Sequence, residues 1–118
     1  ISFIKQKNTI TRESIPLLRL LDAISYIKKI PDTTIEKSCI RLMALLRELK
    51  TSEQVKLIKL AFKYSPATRA LLGALLREIS CRAETEIRDL QDSLNPITVY
   101  DLDISEKVLP NAKYWNIK

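Results

Sequence analysis

The stretch Ser65 to Ile79, SPATRALLGALLREI, constrains the fold more than any other part of this chain. Ser65 is placed to cap a helix, because its hydroxyl accepts from a free first-turn amide, and Pro66 suits the first helical position, where no amide donor is needed. At about 100° per residue, Leu71, Leu72, Leu75, Leu76 and Ile79 fill one arc of that helix. Ala67, Ala70, Gly73 and Ala74 fill much of the rest, leaving Arg69, Arg77 and Glu78 as charged exceptions. A helix apolar nearly all round is a buried one. Gly73 is the only glycine in the protein. Mid-helix it costs roughly 1 kcal/mol relative to alanine, so its bare backbone predicts a close neighbour, expected to be another helix.

Helical periodicity extends in both directions. Leu17, Leu20, Leu21, Ile24 and Ile27 recur in steps of three or four within residues 11–30, with Pro16 in the first turn and Pro31 as the stop. Thr33 with Glu36, and Thr51 with Gln54, have capping-box spacing and open two further helices. The first of these carries Ile35, Cys39, Leu42, Met43, Leu46 and Leu49 inward. The second runs to about Tyr64 with Val55, Ile58 and Phe62 inward. Past Ile79, the apolar series Ala83, Ile87, Leu90 and Leu94 continues the central stripe. Glu78, Arg82 and Glu86, and likewise Glu84, Arg88 and Asp92, alternate in sign at four-residue spacing. Both ladders predict one continuous helix over about 66–94, stopped by Asn95 and Pro96. Short alternating segments at about 1–7 and 97–102 predict a minor two-stranded β element. In the ending KYWNIK, Tyr114 and Trp115 are expected to anchor the C-terminus onto the body. The fold class is therefore mainly α: a four-helix assembly around a long buried helix, in a single domain spanning residues 1–118.

Composition narrows the chemistry. Histidine is absent, which removes the commonest general base and metal ligand. A single glycine leaves no phosphate-cradling loop, so the chain is not expected to be an enzyme or to need a cofactor. The acids Glu84, Glu86, Asp89 and Asp92 are explained by helix-surface pairing, which all but Asp89 have at four-residue spacing, rather than by a metal. Cys39 and Cys81 lie in predicted helices without metal-ligand spacing. No signal peptide is visible and no apolar run approaches the ~20 residues of a membrane span, so they read as reduced core thiols of a soluble cytoplasmic protein. The net charge is +6, and residues 1–64 alone carry thirteen basic and six acidic side chains, a surplus of +7. Lys56, Lys59 and Lys63 form a stripe on the third helix. It reads first as a solvated side, with a phosphate-tracking or partner-contact face as the alternative, since three lysines are a small electrostatic footprint.

The segments IPDTT (30–34), YSPATRALLGALLRE (64–78), SLNP (93–96) and LPNAKYWNI (109–117) together resemble the C-terminal domain of AbiEi-type antitoxins and related transcriptional regulators of bacterial type IV toxin-antitoxin systems. The resemblance covers most of the chain, and its motifs are structural: a capped helix, a small-residue helix face, a helix stop and an anchored tail. It implies a regulatory domain that acts by protein interaction or by neutralising a nucleotidyltransferase toxin, with operator DNA read by an N-terminal winged helix-turn-helix. No such domain precedes Ile1 here, and the chain begins without methionine inside a strand-like segment, so it reads as the C-terminal part of a longer protein. No functional residue carries over by position. A general helical interaction or scaffold domain with non-specific nucleic-acid affinity is the alternative. On either reading this chain alone is expected to bind DNA weakly and without sequence preference, because every predicted helix is committed to packing.

Overall fold

The computed structural model describes residues 14–118. Five α-helices follow in order: α1 Ser14–Ser25, α2 Ile35–Glu48, α3 Thr51–Ala61, α4 Pro66–Glu78 and α5 Glu84–Asp92. Short 3-10 turns occupy Ile27–Lys29 and Pro110–Trp115. The chain is mainly helical and α4 is its centre: every residue from Ala70 to Leu76 is buried, and α4 packs against all four other helices and the C-terminal 3-10 turn. Ser65 caps α4 as expected, its Oγ accepting from Thr68 N at 3.4 Å, and Pro66 opens the first turn. The charged exceptions on α4 are tied off at its margins. Arg69 Nη1 donates to Ser93 Oγ, Arg77 Nη1 to the Glu84 carboxylate, and Asn111 Nδ2 to Glu78 Oε1.

The expected continuous helix over 66–94 does not form. Ser80 takes a left-handed conformation, φ 57°. Cys81 N donates to Leu76 O and Ser80 N to Arg77 O, both at 3.1 Å, the paired bonds of a Schellman C-terminus. Glycine is the usual residue there, and its absence at position 80 hid the stop. The break folds α5 back on α4, so Glu78 and Glu86 do not share a ladder, and Glu84 pairs with Arg77 across the turn instead. That guanidinium holds the Glu84 carboxyl below its ordinary value. Helix α5 ends at Asp92. Asn95 then forms a tight turn in which its Oδ1 accepts from Ile97 N at 3.1 Å, ahead of an exposed Pro96.

No strand occurs among the described residues, which corrects the expected β element at 97–102; its other half, 1–7, lies outside them. Ile97 lies in a turn closed by Thr98 N donating to Asn95 O, and within 97–103 only residues 100–103 bond to the tail, around one parallel bridge, Tyr100 to Ile117, with Tyr100 N donating to Asn116 O at 2.7 Å. Ile97 and Val99 are exposed, so nothing sustains a longer ladder. The helix caps also shift by one residue. Thr34, not Thr33, caps α2 by accepting from Lys37 N at 3.2 Å, while at α3 Glu53 Oε1 accepts from Lys50 N at 2.8 Å.

That shift on α3 frees Gln54 to point inward. It is 7% exposed; its Nε2 donates to Leu46 O at 3.0 Å, and its Oε1 accepts from the Cys81 thiol at 3.1 Å. One amide thus joins the end of α2 to the turn between α4 and α5. Gln54→Leu removes both bonds and is expected to cost about 1–3 kcal/mol. Gln54→Glu is expected to cost more at neutral pH, because the new carboxylate faces the Leu46 carbonyl, and to recover as falling pH protonates it. Urea unfolding of both variants at pH 7 and pH 4.5 tests this; a Gln54→Glu loss independent of pH would place the side chain in solvent.

Candidate functional site

Of the stripe residues, Lys56 and Lys59 lie on α3, while Lys63, expected on a helix running to about Tyr64, sits in the turn past the end of α3 at Ala61. Lys59 and Lys63 are exposed and Lys56 is half-buried. None has an ion-pair partner among the described residues, where Arg77 and Glu84 form the sole pair. Phe62, expected inward, is 42% exposed beside them, because the buried stripe of α3 is Gln54, Leu57, Ile58 and Ala61 instead. An exposed aromatic among unpaired lysines suits either an acidic protein surface or a phosphate backbone with a base to stack on. At the foot of α3, Tyr64 OH donates to Asp22 Oδ1 at 2.7 Å. Partial burial, the hydrogen bond to Asp22 and the nearby negative charge push that phenol up to about 12, so the link persists at all physiological pH.

A second surface lies between α1 and α2. Both pack on α4 but hardly touch each other, leaving a groove of about 670 Å³. Leu20, Ala23, Ile30, Leu42, Leu45 and Leu49 give it apolar walls, and Arg19, Arg41, Glu48 and Glu53 stand among them. Leu45 is 43% exposed. It lies off the buried stripe of α2, which follows Cys39, Leu42, Met43 and Leu46. An additional leucine on the polar side of an amphipathic helix was the available signal for this groove.

Ser65 and Pro66 cap the start of α4, whereas Gly73, Asn95 and Trp115 meet at the tail. Trp115 is 1% exposed and lies over Gly73: a β-carbon built there would stand 2.5 Å from Trp115 Cε3 and closer still to Cζ3 and Cη2. The close neighbour of the glycine is therefore an indole ring, not another helix backbone. Tyr114 is not an anchor. Its side chain is 66% exposed, with Lys113 Nζ 5.3 Å from its ring, and its carbonyl accepts from Gln91 Nε2 at 2.8 Å. Asn111 Nδ2 reaches Ala74 O at 3.2 Å, and Asn116 Nδ2 reaches Asn95 O at 3.1 Å, fixing the tail to α4 and to the α5 stop.

Both cysteines are free. Cys39 is fully buried, and burial with the neighbouring Glu36 charge pushes its thiol up to about 11, which keeps it protonated and unreactive. Among the described residues no helix is long and apolar enough to cross a membrane. No protein-family model, no curated protein and no solved structure matches this chain.

Proposed function

We propose that this chain is the regulatory, antitoxin-like domain of a cytoplasmic toxin-antitoxin transcriptional regulator. In this reading it acts by contact with a nucleotidyltransferase toxin or its target pathway, and operator DNA is read by a separate N-terminal domain. One observation carries the reading: three of the four segments that bear the resemblance pack into a single unit. Gly73 of YSPATRALLGALLRE receives Trp115 of LPNAKYWNI, whose Asn116 is bonded to Asn95 of SLNP. The motifs work together as one built core, as an inherited domain requires. The outward side of α3 and the turn after it, with Lys56, Lys59 and Lys63, is the candidate contact face for an acidic partner.

The test is co-expression with a nucleotidyltransferase toxin encoded beside the gene. The chain is expected to restore growth. The triple variant K56E/K59E/K63E is expected to lose that restoration while its stability stays within roughly 0.5 kcal/mol of the parent, as for other surface changes. Failure of the parent chain both to restore growth and to form a complex with the toxin overturns the reading. The unpaired lysines also favour a second reading, a helical scaffold with non-specific nucleic-acid affinity. Its mark is equal binding to operator and scrambled duplexes. Three phosphate contacts would give a log–log salt slope of about −2.7.

A further inference from the structure

The groove-facing side of α2 leaves one leucine, Leu45, outside the core of the chain. Ser38 and Leu42 beneath it are buried, Leu49 just past the helix end is half-buried, and Leu45 is 43% exposed at the mouth of the groove. Arg41 and Glu48 lie seven residues apart along the same edge, about 10.5 Å by helical rise. Both are exposed, and neither is ion-paired among the described residues. Leu45 lies near the midpoint between them.

The geometry points to a second copy of this chain as the occupant of the groove, with the two α2 helices packed antiparallel about a two-fold axis near Leu45. A two-fold axis makes a surface complementary to itself. Here it sets Arg41 of each copy against Glu48 of the other, brings the two Leu45 side chains together, and lays each α2 into the α1–α2 groove of its partner. The same charges oppose a parallel arrangement, which would set Arg41 against Arg41 and Glu48 against Glu48. This pairing is independent of the antitoxin reading, because it uses α2 and leaves the lysine side of α3 free.

Sedimentation equilibrium of the chain from micromolar to submillimolar concentration tests it. The parent is expected to dimerise. Leu45→Glu is expected to be monomeric yet to melt cooperatively, since Leu45 is half in solvent already. Arg41→Glu and Glu48→Arg each place like charges at both pairs and are expected to weaken self-association about tenfold or more, by at least ~1.4 kcal/mol. Mixing these two single variants restores both opposite-charge pairs, so a heterodimer is expected; the double variant is likewise expected to recover self-association. A parent chain that stays monomeric throughout overturns the proposal. So does a parent dimer that neither Leu45→Glu nor the charge reversals disturb, which would place the interface elsewhere.

Discussion

Gly73→Ala is expected to destabilise the domain, although alanine is the better helix former. The added methyl would stand within 2.5 Å of three indole carbons, where ordinary contact between carbons is about 3.5–4.0 Å. The ring must therefore retreat by an ångström or more. Trp115 is 1% exposed, and Asn111 and Asn116 hold its segment against α4 and Asn95, so little room is available. Overpacking of this kind costs about 3 kcal/mol, and the intrinsic gain of alanine over glycine returns about 1 kcal/mol. A net loss of about 2 kcal/mol is expected in urea unfolding, and Gly73→Leu is expected to displace the tail altogether. The decisive measurement is the double-mutant cycle with Trp115→Ala. That variant alone is expected to lose about 3–5 kcal/mol. In its background Gly73→Ala should be neutral or stabilising, a coupling of about 2–3 kcal/mol. Additive losses would show that the glycine and the tryptophan do not meet.

That contact shows how far the sequence was legible. A lone glycine inside an otherwise good helix announces a close neighbour, because nothing local favours it. It does not announce which neighbour, since a helix backbone and an aromatic ring demand the same bare surface. The central burial of α4 was readable because apolar residues surround the helix, and Ser65 with Pro66 marks its start unambiguously. Its end was not readable. Ser80 adopts the left-handed conformation usually left to glycine, and the apolar spacing continues past it from Ile79 through Ala83 to Ile87. Periodicity reports which residues face inward, and two helices folded against each other both face inward. Likewise Phe62 matched the spacing of an inward position on α3, yet Leu57 and Ala61 turned the buried side of that helix away from it. Only Lys56 and Lys59 of the lysine stripe fall on α3, because the helix ends at Ala61, short of the Tyr64 that the spacing suggested. The groove was marked only by Leu45 off the buried stripe of α2, because its shape depends on the separation of α1 from α2, which periodicity does not encode.

Deleting residues 109–118 is expected to leave the chain without a cooperative fold at 25 °C, although the segment contains no helix longer than the 3-10 turn at Pro110–Trp115. Leu109, Ala112, Trp115 and Ile117 are all buried, Leu109 completely. Burying one large apolar side chain contributes roughly 1.5–3 kcal/mol, so the three large ones together approach 5–9 kcal/mol. A domain of this size has about 5–15 kcal/mol in total. The deletion also strips the face of α4 around Gly73 and removes the backbone partners of Tyr100 and Asp103, which bond to Asn116 and Lys118. A full-length control compares these buried side chains with exposed apolar ones nearby. Ile97 and Val99 precede the bridge to the tail and are 84% and 60% exposed, so the double variant Ile97→Ser, Val99→Ser is expected to stay within about 1 kcal/mol of the parent. Thermal unfolding followed by circular dichroism distinguishes the cases. A truncated chain that still melts in one sharp transition near the parent would show that the five helices close their core without the tail. The resemblance-bearing ending LPNAKYWNI would then belong to an interaction surface and not to the core of the fold.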